Sequence, residues 1–582
     1  MSDQDQYQRE LDVIESVQDK GTVGKFFGYA KISGPGWLQG AITLGGGSLA
    51  GALYLGVISG YDLLWVQPLA MVCGIIMLSA IAYVTLSTGQ RPLQAINTHL
   101  HPLLGWSWVI ATIMANIVWI MPQFSLATGA IQENLFGGAL ISKDADVWLI
   151  IIVLFAFGLY VNYLYESGGK GAKLFDRIIK IMVGVIVLSF FAVVLSLVSS
   201  GNLQLGKIFA GLIPDFSLLN SSSQTFAKDI AASSNPTFWN DHIIFIQKDN
   251  IFAAFGTAVG INMTFLLPYT LLKKRWGKKH RGLSMTDLSI GLFIPFFLAT
   301  ACVLIASAAS FHGKTADVKP EDTYKVLAGV PAVVKSVEGF EGLDDDAKKI
   351  AVIKAIGGGS GDANKAAVIA AIQALPESDR KLAAMLHARD DKALALTLSP
   401  FTGDVVARKV FGIGVLGMAL STIVILMLIN GLAFEELFGG KGKSADSKAG
   451  KKKKKAFAIG CLISGLAGCS YPFIWTSANK AALAIPTSVI GGSLIPIAYF
   501  TFFLLMNSKK VLGDARPEGG ARILWNSLMA VSTLIATAGS CWAIYAKELG
   551  GVPVGKIGIG FLALLFVVGT FSFLKNERKA EL

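Results

Sequence analysis

Five successive residues, Leu44-Gly45-Gly46-Gly47-Ser48, lie in the middle of an apolar stretch long enough to be a helix. A glycine inside a helix costs about 1 kcal/mol relative to alanine, and three in a row weaken it beyond an isolated substitution. Close helix packing is one use for small residues, but it needs them four apart on one face. The run fits an unwound segment whose backbone N–H and C=O groups are open to a ligand. A second apolar stretch is interrupted by Gly256, Gly260, Asn262, Met263 and Thr264, followed by Pro268. The chemistry open to such a pair is recognition without reaction. Half-helix N-termini suit a carboxylate or polar group, and freed carbonyls suit a cation. The chain has no phosphate-loop motif, no nucleophile placed beside a base and no zinc-ligand spacing, so no enzymatic activity and no cofactor are expected.

The elements that must position these residues are membrane helices. The 582 residues are 53% hydrophobic and only 15% charged, and the apolar residues come in blocks. Leu149–Tyr160, Ile181–Val198, Ile290–Ala309, Ile413–Ile429 and Phe561–Leu574 are almost uninterrupted. A bilayer core of about 30 Å needs about 20 such residues per helix. A soluble enzyme, a nucleic-acid binder and a secreted disulfide scaffold are excluded, and a barrel lacks the alternation it would need. The five cysteines fall in apolar blocks without metal spacing and read as small buried hydrophobes. The polar, acidic N-terminus carries no signal-peptide pattern.

Twelve spans are expected, near 37–59, 62–88, 104–136, 146–166, 178–199, 250–272, 286–311, 404–433, 455–476, 479–507, 522–546 and 555–575. With residues 1–36 and the tail 576–582 in the cytoplasm, every second connection is basic. Lys170, Lys173 and Arg177 follow span four, Lys273 to Arg281 follow span six, and Lys451–Lys455 open span nine. That last run serves orientation or binds anionic lipid headgroups. An integral protein of the plasma membrane, with both termini cytoplasmic, is the consistent topology. Asp287, at the start of span seven, reads as the N-cap of its own helix.

Residues 200–249 read as an external loop. Residues 312–403 repeat short Ala/Ile/Leu helical patterns broken at Gly357-Gly-Gly-Ser-Gly and at Pro376, a helical module on the outer face. It is either an insertion without a transport role or a cap for a partner. The two interrupted spans are the first members of two five-helix halves. Paired interruptions of this kind point to a midplane site between inverted repeats, with ten core helices and two peripheral ones. That architecture is a transporter's.

Gly34-Pro35-Gly36-Trp37-Leu38 and Gly60-Tyr61-Asp62-Leu63-Leu64-Trp65 resemble the starts of the first and second helices in the natural resistance-associated macrophage protein (Nramp) family. Phe411-Gly412-Ile413-Gly414-Val415-Leu416-Gly417 and Met506-Asn507-Ser508-Lys509-Lys510-Val511-Leu512-Gly513 resemble its eighth helix and the exit from its tenth. The resemblance covers nearly all of the chain outside 312–403. It implies an all-α, LeuT-type inverted-repeat transporter of divalent metal ions. It also implies the site. The family's Asp-Pro-Gly-Asn metal motif falls on Gly45, Gly46, Gly47 and Ser48, and its Ala-x-x-Met-Pro-His motif on the region of Gly260, Ile261, Asn262, Met263 and Thr264. Either Thr264 or, one residue away, Met263 takes the place of the methionine ligand. The family's acidic pair of helix three falls near Met121 and Phe124, where Gln123 is the only polar side chain.

The candidate site residues are therefore Gly45, Gly46, Gly47, Ser48, Gln123, Gly260, Asn262, Met263 and Thr264, with Ser48 and Asn262 as candidate metal ligands. Ser48 could instead satisfy a backbone carbonyl, and Met263 could fill the core. No ionisable residue lies at the middle of a span, although such residues usually mark ion pathways. Moving even a singly charged ion into a low dielectric costs about 20 kcal/mol in the idealised limit. Three expectations follow. A divalent ion crosses largely hydrated, for which Mg²⁺ is best suited. Otherwise a small neutral or zwitterionic solute is carried, or transport is lost and the module serves a sensor or scaffold. Proton coupling through the family's usual acids is not expected.

Overall fold

The computed structural model describes residues 3–32, 34–136, 144–199, 204–316, 320–335, 362–387, 395, 403–439, 448–475, 480, 483–548 and 551–581. All twelve expected positions hold a helix. Ten of the described helices are long and apolar enough to cross a membrane, and a bent pair makes eleven. Span five, Gly169–Ser199, adds a helix with no charged residue between positions 181 and 198. The fold is the all-helical LeuT type.

Span one is that bent pair. Half-helix 1a, Pro35–Thr43, and half-helix 1b, Gly46–Ser59, meet at 53° across Leu44 and Gly45. Span six is also two helices, 6a (Pro236–Ala258) and 6b (Ile261–Lys273), separated by extended backbone at Val259 and Gly260. Its first half begins well before the expected residue 250. Asn235 caps it by accepting from the Phe238 N–H at 2.9 Å, and Pro236 takes the first turn. The polar residues Asp241, His242, Gln247, Lys248 and Asp249 conceal this helix from a hydropathy window. A third break, unforeseen, divides span ten into Ala484–Gly492 and Ile495–Asn507.

Close backbone approach sets 1a against span seven, which runs from Arg281 through a π-helical turn at Ser289–Phe293 to Phe311. A Cβ added at Gly36 would lie 2.1 Å from the Asp287 carbonyl oxygen, and one at Gly40 would lie 2.1 Å from that of Gly291. Asp287 does not cap its own helix. It lies inside Arg281–Leu288, and its carboxylate accepts the N–H groups of Gly34 and Gly36 at 2.7 and 2.6 Å. The sequence offers no sign of this, because the partners are some 250 residues apart. The contact supplies the negative group that the N-terminus of 1a favours.

A second, smaller apolar core lies at the end of the bundle away from both termini. Helices Pro320–Leu327, Pro331–Lys335, Asp362–Gln373 and Glu377–Leu386 pack on Phe226, Ile230 and the start of 6a, with Trp239 and Leu382 fully enclosed. Asp379 ties the two stretches together. It is buried and accepts from Ser234 N, Ser234 Oγ and Trp239 Nε1 at 2.7 to 2.8 Å. The break expected at Gly357-Gly-Gly-Ser-Gly lies outside the described residues. His312, just beyond span seven, is near the Val57 carbonyl through Nδ1 (3.0 Å) and the Thr225 hydroxyl through Nε2 (2.7 Å). Burial lowers its pKa from the ordinary 6.5, the main opposing effects being the Val57 contact and Asp62.

Two outcomes follow. Gly40→Ala should destabilise the bundle by about 1–3 kcal/mol through overpacking, whereas Gly184→Ala, whose Cβ meets nothing within 4 Å, should be neutral; thermal unfolding in detergent compares them. His312, with its folded pKa depressed, stabilises the closed end above its unfolded pKa, and that stabilisation is lost as pH falls below about 6.5 through the folded value. Proteolysis of the module should therefore quicken as pH falls from 7 to 5 (about two units, spanning the His range). His312→Gln should flatten that dependence.

Candidate functional site

The two breaks meet. Thr43, the last residue of 1a, donates its hydroxyl proton to the carbonyl of Ala258, the last residue of 6a, at 2.6 Å. A helix end leaves four backbone groups without intrahelical partners, and neighbouring side chains take up those of the breaks. Ser421 of span eight donates to Ala41 O at 3.0 Å, and the Thr422 hydroxyl lies 3.3–3.5 Å from the carbonyls of Ala41, Ile42 and Leu44. Ser48 Oγ lies 2.7 Å from Thr43 O and 2.9 Å from Gly45 O, and accepts the Gly45 N–H at 3.2 Å. The Gly46 N–H donates to Gln123 Oε1 of span three at 2.8 Å. At the sixth span, Asn262 Oδ1 accepts the Met263 N–H at 2.8 Å.

Around the breaks lies a cavity of about 50 Å³. Of the residues expected there, Gly45, Gly47, Ser48, Gln123, Gly260, Asn262 and Met263 line it. Two do not. Gly46 stands outside the lining, with its N–H held by Gln123. Thr264 turns away, its hydroxyl accepting from Trp108 Nε1 at 3.0 Å. Of the two placements for the thioether, Met263 is the one that reaches the cavity. The glycines are needed because the walls are close. A Cβ at Gly45 would lie 2.7 Å from Thr422 Oγ1, and one at Gly260 would lie 2.5 Å from the Trp119 ring.

Sequence reasoning missed the hydroxyl groups Thr43, Thr257, Thr422, Thr487 and Ser488, along with Trp119. The only signal for them was a Ser or Thr inside an apolar block, which in a membrane helix ordinarily means a bond to its own backbone. Three of them make such bonds, Thr257 to Ala254 O (3.1 Å), Thr487 to Leu483 O (2.9 Å) and Ser488 to Ala484 O (2.6 Å), while Thr43 and Thr422 turn their hydroxyls to carbonyls of the neighbouring broken helix. This sets the polarity of the cavity. A hydroxyl whose proton is committed to a carbonyl has only acceptor capacity left. The cavity is uncharged but rich in oxygen acceptors. Among the described residues no cluster of three His, Cys, Asp or Glu side chains could hold a metal.

From the cavity a chain of amides leads sideways. Asn262 Nδ2 donates to Asn116 Oδ1 at 3.0 Å, and Asn116 Nδ2 donates to Asn430 Oδ1 at 2.8 Å, joining spans six, three and eight. Toward the module, Ala50, Tyr54 and Ile58 of 1b pack with Ala484 and Ile246 into an apolar plug. Toward the termini, a separate cavity of about 230 Å³ is lined by Tyr7, Glu10, Leu38, Thr270, Lys273 and Lys274, among others.

Two broken helices beside a small uncharged cavity within an inverted-repeat bundle are the architecture of a membrane transporter. The chain belongs to the Nramp family: residues 36–331 and 364–541 match its model, described as natural resistance-associated macrophage protein-like. The unmatched gap inside the module is thus narrower than the expected 312–403. The metal transporter Nramp3.2 of Populus trichocarpa is 26% identical over 183 residues, 30% of this chain and about a third (34%) of the relative's length. The fold is similar to that of the Eremococcus coleocola manganese transporter in complex with an aromatic bis-isothiourea substituted compound. That match has a TM-score of 0.59 and 14% identity, covering 96% of each chain. A mutant form of the same transporter matches with a TM-score of 0.59, at 13% identity over 94% of this chain and 96% of its own.

Gln123→Leu would leave the Gly46 N–H buried without its acceptor. It should cost about 1–3 kcal/mol of stability, read as a lowered melting temperature. An unchanged melting temperature would remove Gln123 from its place as the cap of 1b.

Proposed function

We propose that this transporter carries a divalent cation of the Mg²⁺ type that retains part of its water shell. The observation that carries the reading is the acceptor-only character of the cavity hydroxyls. Waters bound to a cation are strong donors, and such a cavity offers them acceptors on several sides. At about 50 Å³, the space holds roughly three or four waters, fewer than a complete shell. Protein oxygens from Ser48, Thr43, Thr487 and Ser488, with backbone carbonyls at the breaks, make up the rest. Mg²⁺ gives up water reluctantly and accepts oxygen ligands, which fits better than an ion that requires soft or anionic donors. The thioether of Met263 adds little to such a site. With no carboxylate to offset two charges, affinity should be weak and saturation should need high ion concentrations. The amide chain Asn262–Asn116–Asn430 holds no group that titrates near neutrality, so transport is not coupled to protons through it. Both termini lie in the cytoplasm, on the side of the basic connections.

Thr487 and Ser488 give the clean test, because their hydroxyls bond only their own helix and no tertiary contact is lost. In proteoliposomes, Mg²⁺ uptake should follow its own gradient and be unaffected by collapsing a pH gradient. The double variant Thr487→Val/Ser488→Ala should slow it roughly tenfold. Absence of Mg²⁺ and Mn²⁺ flux, alongside thermal stabilisation by a small zwitterion, would replace the cation with an organic solute.

A further inference from the structure

We infer that Asp287 is a positioning residue for transport, the latch that keeps half-helix 1a closed over the route between the central cavity and the face bearing the termini. The inference rests on the transport reading but not on which ion is carried.

Both cavities share their walls. Ile42 and Thr43 line the central cavity, and Leu38 on the same half-helix lines the one of about 230 Å³ beyond it. Met263 and Thr270 stand in the same relation on 6b. At 1.5 Å per residue, these pairs are only about 6 to 11 Å apart along their helices. The barrier is thus one or two turns of 1a and 6b.

Of the two walls, 1a is the separable one. It is nine residues long, it ends at the 53° bend, and glycines follow at once. What holds its other end is Asp287. Its carboxylate is 1% exposed and takes the Gly34 and Gly36 N–H groups at 2.7 and 2.6 Å, one on each oxygen. Charge-assisted bonds of this length are among the strong ones. The Lys274 ammonium lies where a Gly34 side chain would point, and it reaches Asp176 of span five at 3.6 Å. The start of 1a is therefore held between span seven and the end of 6b. Displacing 1a from span seven breaks both bonds and takes two backbone donors from a buried carboxylate, which keeps the nearby Lys180 ammonium as a charge partner, an unfavourable exchange. The contact is either made in full or lost, which is the behaviour of a latch.

The test places a reporter cysteine at Ile42 and exposes the terminal face of membrane vesicles to an impermeant maleimide. Labelling is counted above that of protein without the reporter, because five native cysteines are present. Asp287→Ala removes the latch, and Asp287→Asn keeps its size while replacing one acceptor with a donor. With Asp287 present, Ile42→Cys should react slowly. Asp287→Ala should speed the reaction roughly tenfold, and Asp287→Asn should fall between. Equal rates in well-folded proteins would overturn the assignment. So would failure of both variants to reach the membrane, since Asp287 would then be a requirement for folding. No ion enters this readout, so loss of Mg²⁺ uptake with the labelling shift intact would count against the proposed cargo alone.

Discussion

A helix that stops inside a membrane must find partners for the backbone groups it frees, because hydrocarbon offers none. The arrangement of this protein follows from meeting that demand twice at one place. Thr43 joins the ends of 1a and 6a, Ser421 and Thr422 of span eight take up the carbonyls of 1a, and Gln123 of span three takes an N–H of 1b. Spans one, three, six and eight are thereby fixed around the same few ångströms. The cavity is what remains between the caps.

That origin explains why the cavity is neutral and why it is acceptor-rich. Hydroxyl and amide groups can satisfy backbone carbonyls and N–H groups without introducing charge, and their protons are used up in doing so. Thr422 and the Gln123 amide now occupy the space that a side chain at position 45 would enter. The glycine at position 45 and the shape of its surroundings are therefore one feature. Placing an acidic residue there would need the neighbours to move as well as a charge to be accommodated.

The bundle was largely legible in the sequence because a bilayer imposes length and hydropathy on each span and charge on alternate connections. The breaks in spans one and six were legible because runs of glycine are costly in helices. The break in span ten was not, since Ser493-Leu494 resembles any helical dipeptide and only Pro496 follows. Seven of the nine expected residues reach the cavity. The misplacement of Thr264 reflects a helical rotation that no alignment by motif can settle to one residue. The threonines of spans six and ten, Thr257 and Thr487, were invisible for another reason. A hydroxyl that bonds its own helix looks the same in sequence whether its lone pairs face lipid, protein or a ligand. Asp287 was misread because its partners come from the other repeat, and local pattern favours the nearer helix end.

The central claim is that an uncharged set of oxygens beside the two breaks holds a divalent cation. Anomalous diffraction from crystals grown at high Mn²⁺, a scattering substitute for Mg²⁺, tests it most directly. The account predicts a peak between 1b, 6b and span ten, removed when Mg²⁺ is added in excess. A structure showing no ion there at saturating concentration, or showing it bound by carboxylates elsewhere in the bundle, would contradict it.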